Sequence, residues 1–356
     1  MTLISKSFTP TQYRATHMVD EEHAGMRLDQ YMQIHLESWS RQMVKRKIES
    51  GDITIEGRPG KIRPSMKLAF RDHVTLVTTK SSHEDEWWNG EKIHLQLDPE
   101  IIYEDERLAV ISKPAYMATH PTGRHLFNCA TVYLEAKTGH TVHSIHRLDR
   151  ETSGVLLLGK NPQAANLLTK EFEEDRVKKA YFFMAKNLAW NGKDEFWANE
   201  RLDNAGDGLK RVYIEHFPES DSRGKHAQTF FKILEIQGEY VIGLAFPQTG
   251  RQHQIRVHAM AHGLPLVGDK LYLGNFEMFQ RFKDLLATKQ EHDLMELPRH
   301  ALHAVGISIN YLSERRIFRS HIPKDLRAWI EDKTSIQVSK LEKTIELCLE
   351  EYFQKI

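Results

Sequence analysis

The stretch that decides the fold is His146-Arg147-Leu148-Asp149-Arg150-Glu151-Thr152-Ser153-Gly154, followed at once by Val155-Leu156-Leu157-Leu158. The apolar run reads as a buried strand, and Thr-Ser-Gly before it is a tight-turn composition. Asp149 is therefore expected on a loop at the mouth of a sheet, where catalytic groups are often carried. Arg147 and Arg150 flank it, and opposite charge nearby favours the ionised carboxylate. A single charged carboxylate in a basic setting suits attack on a substrate that carries phosphates. An arbitrary Asp beside Arg would be no more than a weak surface pair, so the surrounding sequence has to decide.

Working outward, Ile101-Ile102-Tyr103, Leu108-Ala109-Val110-Ile111, Tyr181 to Ala185 and Tyr240 to Leu244 read as core strands. Asn161 caps a helix with Pro162 at its first position, and Ala164, Leu167, Leu168 and Phe172 are read as one face. Residues 191–225, rich in Gly, Asn, Asp and charge, read as a strand pair with exposed loops. At the C-terminus Leu341, Ile345, Cys348, Leu349 and Tyr352 follow helical spacing, which predicts a helix packed on the same domain. Towards the N-terminus Leu28, Tyr31, Met32, His35 and Leu36 mark one helix, and Ser40 caps a second with Val44 and Ile48 inward. Ile53 and Ile55 alternate as a short strand, and His73 to Val77 reads as another.

The 356 residues suit two domains and an extension. Hydrophobic residues are 40% and charged residues 28%, as in an ordinary globular protein. No apolar run nears the ~20 residues of a membrane helix, and MTLISKSFTPTQYRATH lacks the apolar centre of a signal peptide. Cys129 and Cys348 give neither a disulfide framework nor a zinc site, so a reducing cytoplasm is expected. Net charge is zero, but unevenly placed. From Arg41 to Arg71 nine Lys/Arg face Glu49, Asp52 and Glu56, whereas from Ser81 to Ser112 nine Asp/Glu face Lys92 and Arg107. A local basic patch matters more for nucleic-acid binding than the chain average.

Three stretches carry a family resemblance. His146 to Gly154 resembles the signature H-R-L-D-x-x-T-S-G of the RluA-type pseudouridine synthases, which isomerise uridine in RNA. Lys179-Ala180-Tyr181 matches the family's K-x-Y, about thirty residues later and across a helix, and Thr249 to His258 resembles T-G-R-x-H-Q-I-R-V-H. Gly268-Asp269 and Arg299 to Ala304 match further on. Ser112-Lys113-Pro114-Ala115-Tyr116 departs from the usual Asn-Lys-Pro-x-Gly. In front, Gly25-x-Arg27-Leu28-Asp29, Ser40-Arg41 and Ile48-x-x-Gly51-x-Ile53 resemble the αL RNA-binding module first recognised in a ribosomal small-subunit protein.

The resemblance implies an α+β fold: a catalytic domain with a mixed, largely antiparallel central sheet over 99–323, and a small N-terminal α/β module over 15–80. Residues 81–98 are then a linker and 324–356 a helical extension. It implies Asp149 as nucleophile, Tyr181 stacked on the target base, Arg147 filling the vacated stack, and Ile255 as an apolar wall. Arg251, the first arginine of its motif, is expected to pair with Asp149. Arg27, Ser40, Arg41, Lys45, Arg46 and Lys61 are expected to meet RNA phosphates, which gives affinity without reading sequence.

The expected substrate is structured RNA, large-subunit ribosomal RNA first and transfer RNA as the alternative. The protein is expected to work as a monomer without cofactor, metal or membrane. His253, His258 and His262, with His146 or His303, could be imagined around zinc, but H-E-x-x-H and Cys ligands are missing. A glycosidase would need two positioned carboxylates where the signature offers one. A non-catalytic RNA-binding protein would have no use for Asp149, Tyr181 and Arg251 together.

Overall fold

The computed structural model describes residues 2–9, 11–35, 41–58, 60–79, 84–122, 125–190, 192–206 and 212–354. They divide into two units: Met1–Asp85 with Ala118–Val142, and Glu86–Met117 with His143–Ile356.

In the first unit, helices α1 (Leu28–His35) and α2 (Arg41–Glu49) lie against a four-stranded antiparallel sheet. Its order is β1 (Thr2–Phe8), β2 (Gln12–Met18), β4 (His73–Thr79) and β3 (Ile53–Ile55). Leu28, Tyr31 and Met32 from α1, Val44 and Ile48 from α2, and Ile53, Ile55, Val74 and Leu76 from the sheet form one core. Leu28, Tyr31, Met32, Val44 and Ile48 face inward as the helical spacing predicts, whereas the His35 side chain lies outside the described residues and the β1–β2 hairpin was not foreseen. Ser40, the expected cap, and Leu36 lie outside the described residues. Residues 118–142, read from sequence with the catalytic domain, pack in this unit and carry α3 (Ala130–Thr138). The buried Glu84 carboxylate ties them in, accepting the N–H groups of Leu126, Phe127 and Asn128 at 2.6, 2.8 and 3.0 Å.

The second unit opens with a short hairpin, β5 (Trp87–Trp88) and β6 (Glu91–Lys92). Its Trp88 ring stacks 5.8 Å from Phe282 and meets His292 edge-on at 4.4 Å. The main sheet then takes β7 (Glu100–Glu104), β8 (Leu108–Lys113), β9 (His143–Ser144), β10 (Ser153–Gly159) and, after α4 (Pro162–Glu173), β11 (Lys178–Lys186). It continues with β12 (Glu195–Ala198), β15 (Thr229–Gln237), β16 (Tyr240–Pro247), β17 (Leu302–Tyr311) and β18 (Glu314–Arg319). A separate hairpin, β13 (Arg201–Asn204) with β14 (Ile214–Phe217), comes from the polar 191–225 region.

The path across the sheet is β12-β15-β16-β11-β17-β10-β8-β7, with β18 on β17 and β9 on β10. Only β10 and β17 run parallel among its described pairs, so the sheet is mixed and largely antiparallel. All seven residues of β10 are buried, as its uninterrupted apolar run requires. Four shorter helical elements follow β16: α5 (Gln254–Ala261), a π-helical turn (Lys270–Gly274), α6 (Phe276–Lys283) and α7 (Lys289–Met295).

Alternation along β11 sorts the two faces. Ala180, Phe182 and Met184 meet the C-terminal helices α8 (Lys324–Lys333) and α9 (Val338–Gln354) through Leu326, Ile330, Leu341, Ile345, Leu349 and Phe353. Tyr181, Phe183 and Ala185 turn to the other face, towards Ile255 and Ala259 of α5. In α4, Asn161 caps as expected, accepting from Ala164 N–H at 2.8 Å. Ala164, Ala165 and Leu168 are buried, but Leu167 is 67% exposed on the outer side of the helix. No described helix is long and apolar enough to cross a membrane.

Candidate active site

The loop before β10 is a closed turn: Thr152 N–H donates to the Asp149 carbonyl at 3.0 Å. Gly154 has φ +111, and a Cβ there would sit 2.2 Å from the Ala304 carbonyl oxygen, so only glycine lets β10 lie against β17. His146 accepts the Leu157 N–H on Nε2 at 3.1 Å and stacks on Phe172. Burial pushes this imidazole down to about 3, with Lys179 adding to the shift, so it is a neutral structural pin at neutral pH. Ser153 and Thr152 anchor the loop on His303 Nδ1 and His300 Nε2 at 2.9 and 2.8 Å.

Asp149 keeps 22% of its side chain exposed, and its partner is Arg256. Arg256 Nη1 donates to Asp149 Oδ2 at 3.1 Å, while Nε and Nη2 take both oxygens of Asp269 at 2.7 and 2.8 Å. Asp269 is fully buried and also accepts the N–H groups of Leu271 and Tyr272 on Oδ1. This corrects the sequence assignment of Arg251. That side chain is exposed, and its Nε donates to the His226 carbonyl at 2.9 Å. The cause is local backbone: His253 is left-handed (φ 54, ψ 15) and starts α5, so Arg251 lies before the bend and Arg256 within the helix.

His253 completes the anion's surroundings. Its Nε2 is 3.8 Å from Asp149 Oδ2 and its Nδ1 is 2.9 Å from the Tyr272 hydroxyl. That hydroxyl accepts from Ile214 N–H at 3.1 Å, leaving its own hydrogen for Nδ1 and the ring proton for Nε2, facing Asp149. Burial pushes His253 down to about 4. Burial alone would raise the Asp149 carboxyl, but His253, Arg256 and His300 outweigh it and hold it well below the usual carboxylate range. The Tyr181 phenol is pushed up by burial and then by the Asp149 charge, so it stays neutral beside an ionised carboxylate. Tyr181 packs against the cluster that contains Ile255. Asp149, Tyr181, Ile255 and Arg256 thus belong to one place. Arg147 is exposed and makes no hydrogen bond or ion pair with another described residue.

The sequence pattern of the RNA pseudouridylate synthase family matches residues 107–261. An uncharacterized RNA pseudouridine synthase of Chlorobaculum parvum is 30% identical over 88% of this chain and 95% of its own. The chain belongs to the RNA pseudouridine synthases, of the RluA type. It is an enzyme that isomerises uridine to pseudouridine in RNA. The ribosomal large subunit pseudouridine synthase C of Vibrio parahaemolyticus is 28% identical over 92% of this chain and 94% of its own. Among solved structures, human RNA pseudouridylate synthase domain containing 4 shares the fold with a TM-score of 0.50, at 21% identity over 65% of this chain and 92% of its own.

In this synthase several motif residues serve the framework. Gln254 accepts from Thr249 Oγ1 and Arg251 N–H and donates to Gln228 O and Thr229 Oγ1, so it staples the start of α5. His258 bonds Thr229 Oγ1 and the Glu200 carbonyl, and His262 lies 3.0 Å from Glu200 Oε1. The imidazoles considered for zinc are therefore each engaged in this hydrogen bonding. Tyr116, where the family often has glycine, holds a left-handed φ of 66 and packs its ring 5.4 Å from the Arg150 guanidinium. Sequence reasoning gave Asp269, His253 and Glu151 no part in holding Asp149 or its turn. Gly268-Asp269 was visible as a match, and its meaning was hidden because Asp269 reaches Asp149 through Arg256.

In the first unit Arg41, Arg46 and Lys61 are exposed and Lys45 is half-buried. Arg27 differs from its expected use. Its Nε and Nη2 hold the buried Asp29 carboxylate at 3.0 and 2.9 Å, and Arg41 lies 3.7 Å from the same group. Two of the Arg27 nitrogens are thus committed to the start of α1.

Proposed function

We propose that this synthase modifies large-subunit ribosomal RNA, with Asp149 as the reacting nucleophile. The observation that carries the assignment is a partly exposed carboxylate held ionised by a guanidinium, whose charge acts on the Tyr181 phenol, with Tyr181 packed on the cluster that holds Ile255. In the reaction the N1–C1′ bond of uridine breaks, the uracil turns, and a C5–C1′ bond forms. The C5 proton leaves and N1 gains one, so nothing is oxidised and no cofactor is needed. Extruding the nucleotide costs a few kcal/mol, and stacking on an aromatic ring such as Tyr181 returns ~1–3 kcal/mol. Arg147, which is exposed, enters the gap left in the stack in this reading. Arg256, in place of Arg251, orients Asp149 and balances its charge.

The first unit, 1–85 with 118–142, acts as the αL-type module, and the second, 86–117 with 143–356, as the catalytic domain with 324–356 as its helical extension. Arg41, Lys45, Arg46 and Lys61 supply phosphate contacts. Work as a monomer in the cytoplasm fits this reading. Support for ribosomal RNA comes from the Vibrio relative, whose name states that substrate and which aligns over 94% of its length. Mapping pseudouridines in cellular RNA with and without this gene tests it. At least one large-subunit site should vanish. Loss confined to transfer RNA would replace the substrate while leaving the chemistry.

A further inference from the structure

We propose that helix α8 belongs to the active-site scaffold, with Asp325 as a positioning residue for the turn that carries Asp149. The proposal rests on Asp149 being the reacting carboxylate. Arg299 is a fully buried guanidinium whose Nε and Nη2 take the two oxygens of Asp325 at 2.6 and 3.1 Å. Its Nη1 faces the other way, towards the carbonyls of Glu151, His300 and Leu302 at 3.4, 3.3 and 3.3 Å. The next residue grips the same turn harder. His300 N–H donates to Glu151 Oε2 at 3.2 Å, its Nδ1 lies 3.4 Å from that oxygen, and its Nε2 is 2.8 Å from Thr152 Oγ1. Lys270 Nζ meets Glu151 Oε1 at 3.0 Å from the opposite side.

Glu151 stands two residues beyond Asp149, inside the turn that Thr152 N–H closes on the Asp149 carbonyl. A continuous set of hydrogen bonds therefore runs from α8 through Arg299 and His300 to that turn. Two features favour a carboxylate at 325. A buried guanidinium is costly without a counter-ion, and an acid in the first turn suits the helix N-terminus. Leu326 and Ile330 already bury α8 against the sheet, so apolar packing fixes the helix without help. The ion pair adds direction: it sets where Arg299, and with it His300, points.

The test is steady-state turnover of RNA by the full-length Asp325→Asn, Asp325→Glu, Glu151→Gln and Asp325→Asn/Glu151→Gln variants, with amide hydrogen exchange across 148–154. Asp325→Asn should lower kcat by ~10- to 100-fold with KM nearly unchanged, since misplacing a reacting group costs rate before binding. Exchange should rise in 148–154 and not in β15 or β16. Asp325→Glu should fall between wild type and Asp325→Asn. The double variant should be no slower than the slower single, because both act through one turn. Wild-type kcat in Asp325→Asn, a kcat loss without change in exchange at 148–154, or losses that multiply would each overturn the proposal. If Asp325→Asn does not fold, Asp325→Glu decides alone: lower kcat at constant KM supports the proposal, and wild-type kcat sinks it. Asp149→Asn runs alongside. Turnover surviving there removes the premise, whereas an inactive Asp149→Asn beside unaffected Asp325 variants removes only the role of α8.

Discussion

Asp149 shares its cation with a second aspartate, and this sharing sets how the residue can react. Arg256 is 5% exposed and spans Asp149 and the fully buried Asp269, so two carboxylates share one guanidinium. Asp149 keeps a single 3.1 Å bond from it, and so retains an oxygen for substrate. Replacing Arg256 by Gln should abolish most turnover and destabilise the fold by ~3–5 kcal/mol, because Asp269 would be left buried without its partner. Arg251→Gln should do neither, since its exposed side chain reaches only as far as the His226 carbonyl. Turnover and thermal unfolding of the two variants decide; an Arg251 variant the more damaged of the pair would reverse the assignment. The nonapeptide made Asp149 legible in the sequence. The choice between two arginines five residues apart was not legible, because the left-handed His253 turns the chain between them and no spacing rule anticipates that. Asp269 and Glu151 were illegible for a related reason: their partners are other charged side chains brought in from distant segments.

At the level of elements, period-two alternation in β11 explains why Tyr181 reaches the site while Phe182 lies under α8 and α9. That pattern was readable, as were the buried strand β10 and the N-cap of α4, since each depends on residues close in sequence. The β1–β2 hairpin was not readable. Leu3 and Ile4 are about half exposed, so its alternation carries little hydrophobic signal. Gly154 is the most constrained position in the strand that follows the Asp149 turn. A methyl group there would meet Ala304 backbone at a φ of +111. Gly154→Ala should therefore cost at least ~2 kcal/mol through strain and overpacking, read as a lower denaturant midpoint. An unchanged midpoint would mean that β10 can leave β17 without loss.

For the molecule as a whole, buried neutral histidines set the acid limit. Burial is the leading cause in each case, pushing His146 and His303 down to about 3 and His253 and His258 down to about 4. The unfolded chain takes up these protons below the ordinary value of about 6.5 and the folded chain does not, so stability is full above ~6.5 and declines towards pH 4. Thermal unfolding midpoints should fall steadily over that window; a flat profile down to pH 4.5 would contradict the burial of these rings. RNA affinity should obey a different variable. Changing Arg41, Lys45, Arg46 and Lys61 together to Ala should flatten the salt dependence of binding by ~0.7–0.9 in log–log slope for every phosphate no longer neutralised. An unaltered slope would place the RNA elsewhere. The most direct measurement is tritium release from RNA labelled at uridine C5, using the full chain and its Asp149→Asn variant, with RNA affinity measured in parallel. The expected result is release by the wild type and none by the variant at equal affinity; release by the variant at a comparable rate would contradict the account.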